Sequence, residues 1–164
     1  MSFVIDSSVA LTWCFEDEAS PAADRLLAQL TDTGAAAPSL WPLEVLNGLA
    51  MAERRGRLTT LARHEKISFL QALPISLDHE TAAQAWTTTT RLAERYRLTL
   101  YDAAYLELAQ RLNLPLATLD KDLREAQPLF GYSNDHWILP STEAQYRDGV
   151  DHFNAYLVRL ADKD

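Results

Sequence analysis

Three apolar residues near the start, Phe3-Val4-Ile5, stop at a polar elbow, Asp6-Ser7-Ser8. So short and uniformly apolar a run reads as a buried strand. Val9, Leu11, Trp13 and Phe15 then read as a helix, with Ser7 or Ser8 as N-cap. Ser20-Pro21 opens a second helix, the serine capping and the proline at the first helical position. Its stripe is Ala22/Ala23, Leu26/Leu27 and Leu30, and Gly34 ends it. Ala35-Ala36-Ala37-Pro38 fits a strand of small residues. Over residues 41–55 the apolar positions Trp41, Val45, Leu49 and Ala52 predict one face of a helix, and Gly56 separates it from the next.

Residues 73–78 fit a short strand. Residues 79–96 follow a helical pattern through Ala82/Ala83, Trp86, Leu92/Ala93 and Tyr96. The run Thr87-Thr88-Thr89-Thr90 weakens it, because β-branched residues lose rotamer freedom in a helix. Another helix carries Leu100, Ala103/Ala104, Leu108 and Leu112 three and four apart. Leu116-Ala117-Thr118-Leu119 is a further short strand, running into Asp120-Lys121-Asp122. Residues 123–127 make a short helix closed by Pro128, and residues 136–139 fit an edge strand. Thr142 with Gln145 matches a capping box, and the helix it opens presents Tyr146, Val150, Phe153, Leu157 and Leu160. This alternation predicts an α/β fold: a short parallel sheet with helices on both faces. No repeat or linker interrupts it, so residues 1–164 are expected to form one domain. Its core spans about 1–139, and a helical extension over about 142–161 packs on the domain or on a partner.

In open sheets of this kind ligands bind at the carboxyl edge of the strands. Asp6 and Asp120 each follow a strand at that edge. Asp102 falls in the first turn of its helix, on the inward side, where the partial positive charge of the N-terminus favours an ionised carboxylate. Alone it is either an ordinary cap-type aspartate or a ligand for a hard cation. Glu44 lies near the start of its helix and shares a face with Asn47. That pair is either satisfied at the helix start or looks into a site. Four convergent carboxylates with no obvious basic partner raise one another's pKa and cost stability unless a cation neutralises them. Oxygen-loving Mg²⁺ or Mn²⁺ suits such a set, and a carboxylate-held ion can activate water against a phosphodiester. No His, Cys or Lys nucleophile stands out; His64 and His79 are isolated. The five glycines form neither a dinucleotide fingerprint nor a phosphate loop.

Composition narrows the setting. At 164 residues and 48% hydrophobic, the chain is long enough to bury a sizeable core. A single cysteine, Cys14, excludes an internal disulfide and fits a reducing compartment; inside the apolar run 9–15 it reads as a core residue. With no secretory pattern and no apolar run long enough to cross a bilayer, the expectation is a cytoplasmic protein without membrane association. A net charge of −8 argues against nucleic-acid binding by the surface at large. Any such substrate needs bound metal or a local basic patch. The one candidate patch is Arg54, Arg55 and Arg57, with Arg63, His64 and Lys66 after them: either a solvated helix–helix corner or a phosphate-facing rim.

Four segments in order, Val4-Ile5-Asp6-Ser7-Ser8-Val9-Ala10, Glu44-Val45-Leu46-Asn47, Tyr101-Asp102-Ala103-Ala104-Tyr105-Leu106-Glu107-Leu108-Ala109 and Leu116-Ala117-Thr118-Leu119-Asp120-Lys121-Asp122-Leu123, resemble those of the PIN-domain ribonucleases, specifically the VapC-like toxins of bacterial toxin–antitoxin pairs. The likeness covers about residues 1–128. It implies a three-layer α/β/α sandwich around a short, mostly parallel sheet, and RNA cleavage dependent on Mg²⁺, with Mn²⁺ as substitute. It also implies a homodimer inhibited by a cognate antitoxin. By motif, Asp6, Glu44, Asp102 and Asp120 are the acidic quartet. Asp6 and Asp102 are implied as the main metal ligands, Asp120 as assisting directly or through water, and Glu44 as holding or deprotonating metal-bound water. Ser8, Asn47 and Thr118 fall where the family keeps supporting polar groups. Arg54, Arg55 and Arg57 would form the RNA-facing rim. Two other readings remain at this stage: a structure-specific DNA nuclease on the same scaffold, and a PIN-like binding module without catalysis.

Overall fold

A computed structural model describes residues 1–126. The expected closing Pro128, edge strand 136–139 and helix 142–161 lie outside the described residues. The central sheet has four strands, all parallel, in the order β3-β2-β1-β4. They are β1 (Val4–Ile5), β2 (Ala35–Pro38), β3 (Ile75–Asp78) and β4 (Leu116–Ala117). Val4 pairs with Ala36 on one side and Leu116 on the other, and Ile5 with Ala117. Ala35 to Pro38 run in register with Ile75 to Asp78. β1, entered from Phe3, and β2 are strands with both faces covered: Phe3, Val4, Ile5 and Ala35 to Ala37 are all buried. β1 and β4 are neighbours pointing the same way, so the residues that follow them leave the sheet side by side.

The helices are α1 (Ser7–Thr12), α2 (Pro21–Thr33), α3 (Trp41–Arg54), α4 (Thr60–Gln71), α5 (Thr81–Gln84), α6 (Thr90–Tyr96), α7 (Leu100–Leu112) and α8 (Lys121–Ala126). α2 has the expected ends: Ser20 Oγ accepts from the Ala23 N–H, and Gly34 takes φ 72°, where a side chain would be strained. α3 buries Trp41, Val45, Leu49 and Ala52, the face its pattern predicts. Gly48 lets α1 lie close to α3, because a Cβ there would meet Leu11 Cδ1 at 2.6 Å.

Four expectations are corrected. The first helix ends at Thr12 rather than running through Phe15, and Asp6, not a serine, is its N-cap residue. Ser7 and Ser8 are its first helical residues, because their hydroxyls turn back to Asp6. Residues 79–96 are not one helix. A π-helical turn over Ala85–Thr89 separates α5 from α6, and Thr90 Oγ1 donates to the Ala85 carbonyl at 2.6 Å. The threonine run supplies that hydroxyl where the regular ladder is weakest. α8 starts at Lys121, because Asp120 accepts from the Leu123 N–H at 2.9 Å and so opens the turn earlier. Finally, α7 is not a one-sided helix. Residues 103–109 are buried all round, while Leu100, 54% exposed, and Leu112 sit at its ends.

α7 touches β1, β2 and β4 on the sheet and packs on α5, α6 and α8. α7 meets the sheet with small buried residues on both elements, Ala103 and Ala104 on the helix and Ala35 to Ala37 on β2. Its buried Glu107 is matched by Arg111, which also holds Asp78 at the end of β3 at 2.9 Å. Cys14 is buried and free, its thiol pushed up to about 11 by burial first, so it is a core residue as expected. Among the described residues no helix is long and apolar enough to cross a membrane.

Candidate active site

The carboxyl edge of β1 and β4 is built around Asp6. Its backbone N–H continues the ladder to the Ala117 carbonyl at 2.9 Å, so its position is set by the sheet. Its carboxylate is 4% exposed and accepts from Ser8 Oγ at 2.5 Å, Thr118 Oγ1 at 2.6 Å and Ser7 Oγ at 3.3 Å. Ser8 Oγ also accepts from the Leu119 N–H, and the fully buried Thr118 Oγ1 from the Asp120 N–H. These two hydroxyls therefore staple the ends of β1 and β4 together around one acid. Burial pushes the Asp6 carboxyl up; the bonds from Ser8 and Thr118 oppose it, and the charge of Asp120 adds to it.

Asp102 is placed by the start of α7. Thr99 is the N-cap: its Oγ1 accepts from the Asp102 N–H at 3.1 Å and donates to Asp102 Oδ2 at 2.6 Å. Glu44 is half-buried in the first turn of α3, and the Tyr105 hydroxyl of α7 donates to its Oε2. The Glu44 carboxyl is raised by burial, with Tyr105 opposing and the charges of Asp6 and Asp102 adding. Asp102 is raised by burial, with Thr99 opposing and Asp120 and Asp6 adding. Each of these three acids thus feels the charge of other members of the quartet, Asp6 that of Asp120, Glu44 that of Asp6 and Asp102, and Asp102 that of Asp120 and Asp6. The arginine and lysine ion pairs resolved among the described residues go elsewhere: Arg57 to Asp17 and Glu18, Arg63 to Glu53, Arg111 to Asp78, Glu80 and Glu107, and Lys121 to Glu125.

The acids interact at the range of charge rather than of shared ligation. Among the described residues no three His, Cys, Asp or Glu side chains stand as a formed set of metal ligands. Each acid is held instead by its own hydroxyl or amide donor. The donor chemistry nevertheless fits a hard divalent cation: anionic oxygens only, desolvated, with mutual repulsion that a cation would relieve.

The other expected residues divide. Ser8 and Thr118 hold Asp6 directly. Asn47 stands exposed on α3 and makes no hydrogen bond to the acids among the described residues. Asp122 is exposed in the first turn of α8. Of the rim, Arg57 is committed to Asp17 at 2.7 Å and Glu18 at 2.9 Å, with its guanidinium 4.0 Å over the Phe15 ring. Arg54 reaches the Met51 sulfur at 3.7 Å. Arg55 lines a cleft of about 390 Å³ together with Arg57, Glu18, Phe15, Leu119 and Ser8, the serine that holds Asp6. Sequence reasoning missed Tyr105 and Thr99. A Thr three residues before Asp102 was a readable capping signal. A buried tyrosine hydroxyl always needs a partner, but only the fold says which one.

A family model described as "PIN domain" matches residues 3–127. A second, "Uncharacterized protein conserved in bacteria (DUF2333)", matches residues 115–164. The chain is 31% identical over 132 residues to a protein of Pyrobaculum aerophilum named Ribonuclease VapC3, spanning 78% of this chain and 96% of that one. It is 33% identical over 103 residues to a Mycobacterium tuberculosis protein, also named Ribonuclease VapC3, covering 62% of this chain and 71% of its relative. The crystal structure of PAE2754 from Pyrobaculum aerophilum superposes with a TM-score of 0.58 at 22% identity, over 77% of this chain and 84% of that one, a likeness of fold.

Proposed function

The chain belongs to the PIN-domain family, and from that premise we propose that it is an Mg²⁺-dependent endoribonuclease, Mn²⁺ substituting, that acts as the toxin of a toxin–antitoxin pair. The observation that carries this reading is Asp6, buried at the β1–β4 edge in the grip of Ser8 and Thr118, with half-buried Glu44 and Asp102 near enough in charge that every charge registering on the three is another carboxylate. The names of the two relatives supply the substrate class.

Asp6, Asp102 and Asp120 would hold the ion. When bound, it lowers the pKa of water and stabilises charge on the leaving oxygen of a phosphodiester. Ser8 and Thr118 fix Asp6 so that its carboxylate does not reorganise during the reaction. Glu44 Oε2 is taken by Tyr105, which leaves Oε1 to orient an attacking water and accept its proton. Arg55 and Arg57 line the same cleft; Arg57 is paired with Asp17 and Glu18, so of the two it is Arg55 that would meet an RNA phosphate. A cognate antitoxin is expected to silence the site with a basic side chain, and the protein is expected to work as a cytoplasmic homodimer.

Cleavage of labelled single-stranded RNA and DNA, side by side, with Mg²⁺, with Mn²⁺ and after chelation, tests this. The expected result is metal-dependent RNA cleavage that chelation stops. Asp102→Asn should lower it at least about 100-fold, a loss of ~2.7 kcal/mol of transition-state stabilisation, without loss of fold. Preferential cleavage of DNA makes the protein a DNA nuclease instead. No cleavage together with no Mn²⁺ binding by calorimetry makes it a binding module. Co-purification of a small partner that abolishes cleavage tests the toxin–antitoxin role.

A further inference from the structure

We infer that Tyr105 is a positioning residue of the reaction: its hydroxyl, delivered from inside the core, fixes which carboxylate oxygen of Glu44 faces the pocket. The inference rests on the nuclease reading above and adds a residue to it.

Tyr105 is 0% exposed and lies in the all-round-buried stretch of α7. A phenylalanine would fill that space equally well, so packing does not account for the hydroxyl. A buried hydroxyl must be matched, and this one is matched across 61 residues of sequence by Glu44 Oε2 on α3. Glu44 needs such a partner. It is half-buried, and the charges of Asp6 and Asp102 both repel it. Among the interactions that bear on its carboxyl, the bond from Tyr105 is the one that favours the ionised form. Burial first, then the charges of Asp6 and Glu44, keep the phenol protonated against an opposing hydrogen bond from Ser7, so it donates to Glu44.

Two anchors make the contact rigid. α7 is pressed on the sheet over residues 103–109, so the Tyr105 ring has no room to swing. α3 is held by Trp41, Val45 and Leu49, one of which neighbours Glu44 in the chain. A carboxylate bonded through one oxygen at fixed distance presents its other oxygen in a fixed direction. For a base that must meet a water within hydrogen-bond reach, that direction matters more than affinity for substrate. The effect of losing it should therefore fall on kcat and leave KM alone.

Tyr105→Phe tests this, alone and combined with Glu44→Gln, on the full chain. The variant should keep cooperative unfolding in metal-stripped buffer, and kcat should drop about tenfold or more with KM within about twofold. In the Glu44→Gln background the same change should alter kcat by less than about twofold, since both act through one group. Independently of activity, the ¹³C resonance of the Glu44 side-chain carboxyl, assigned by its absence in Glu44→Gln, should move in metal-free Tyr105→Phe. An unmoved resonance overturns the inference. So does an equal kcat loss in both backgrounds, or a loss that tracks the unfolded fraction at the assay temperature. If wild-type protein cleaves no RNA while the resonance still moves, the nuclease reading fails and the Tyr105–Glu44 contact stands.

Discussion

Asp6, Glu44 and Asp102 each carry a carboxyl held above its ordinary range, by burial first. Their folded pKa values exceed the unfolded ones. Stability from that difference is fully present below about pH 4, the unfolded carboxylate range, and is lost as pH rises through the raised values. Asp78 behaves oppositely. Burial alone would raise it, but the bonds from Arg111 and Thr81 outweigh burial and hold it low. Its contribution is present above the ordinary carboxylate range and is lost only as pH falls below it. The two windows do not overlap. Metal-stripped protein should therefore melt at steadily lower temperature as pH rises above about 4, the ordinary carboxylate range, and Asp6→Asn should flatten that slope; circular-dichroism melts against pH check both. At this scale the acids were legible in the sequence, since each follows a strand or opens a helix. Arg57 was not: whether an exposed arginine faces RNA or two acids of its own chain, Asp17 and Glu18, depends on where a distant turn lies.

Among the elements, α7 has most to do. It spans the sheet, carries Asp102 at its start and Tyr105 within, and is opened by one Thr99 side chain that both caps the helix and binds Asp102. Thr99→Ala should cost about 1 kcal/mol, lowering Tm by roughly 2–4 °C. It should also reduce cleavage, because Asp102 loses its partner. Thr99→Ser should restore both, as read by thermal melts and initial rates. The buried face of α3 was readable to the residue from its period of three and four, and its end to within one residue. α7 misled, because a helix buried all round has no polar face to mark it. The stretch 79–96 misled differently: an extra residue absorbed as a π-helical turn leaves the apolar pattern nearly intact while breaking the hydrogen-bond ladder.

At the scale of the whole molecule, the acidic pocket and the net charge of −8 act together. A protein that already repels anions gains little affinity for RNA from its surface, so recognition is expected to depend on the bound ion and a few rim cations. The folded chain should therefore be stabilised by Mg²⁺ or Mn²⁺ alone. At a hundredfold excess over Kd the gain is about 2.7 kcal/mol, visible as a rise in Tm that chelator reverses and that Asp6→Asn and Asp102→Asn lose. An unchanged Tm at saturating Mn²⁺ would leave the carboxylates without their cation.

What the sequence by itself determined is local or periodic: the buried strands at 3–5 and 35–38, the α3 face, the Ser20 cap, the Gly34 stop, and the acids at strand ends and helix starts. Each follows from the chemistry of a few neighbouring residues. The family likeness, carried by four short segments, belongs to the same class. Only the tertiary structure decided which groups meet across distance: Ser8 and Thr118 on Asp6, Tyr105 on Glu44, Arg57 on Asp17 and Glu18. The physical reason is that a hydrogen-bond or ion-pair partner is chosen by position in space. A residue type states that a partner is needed; the order of strands and the crossing of helices say which one it is.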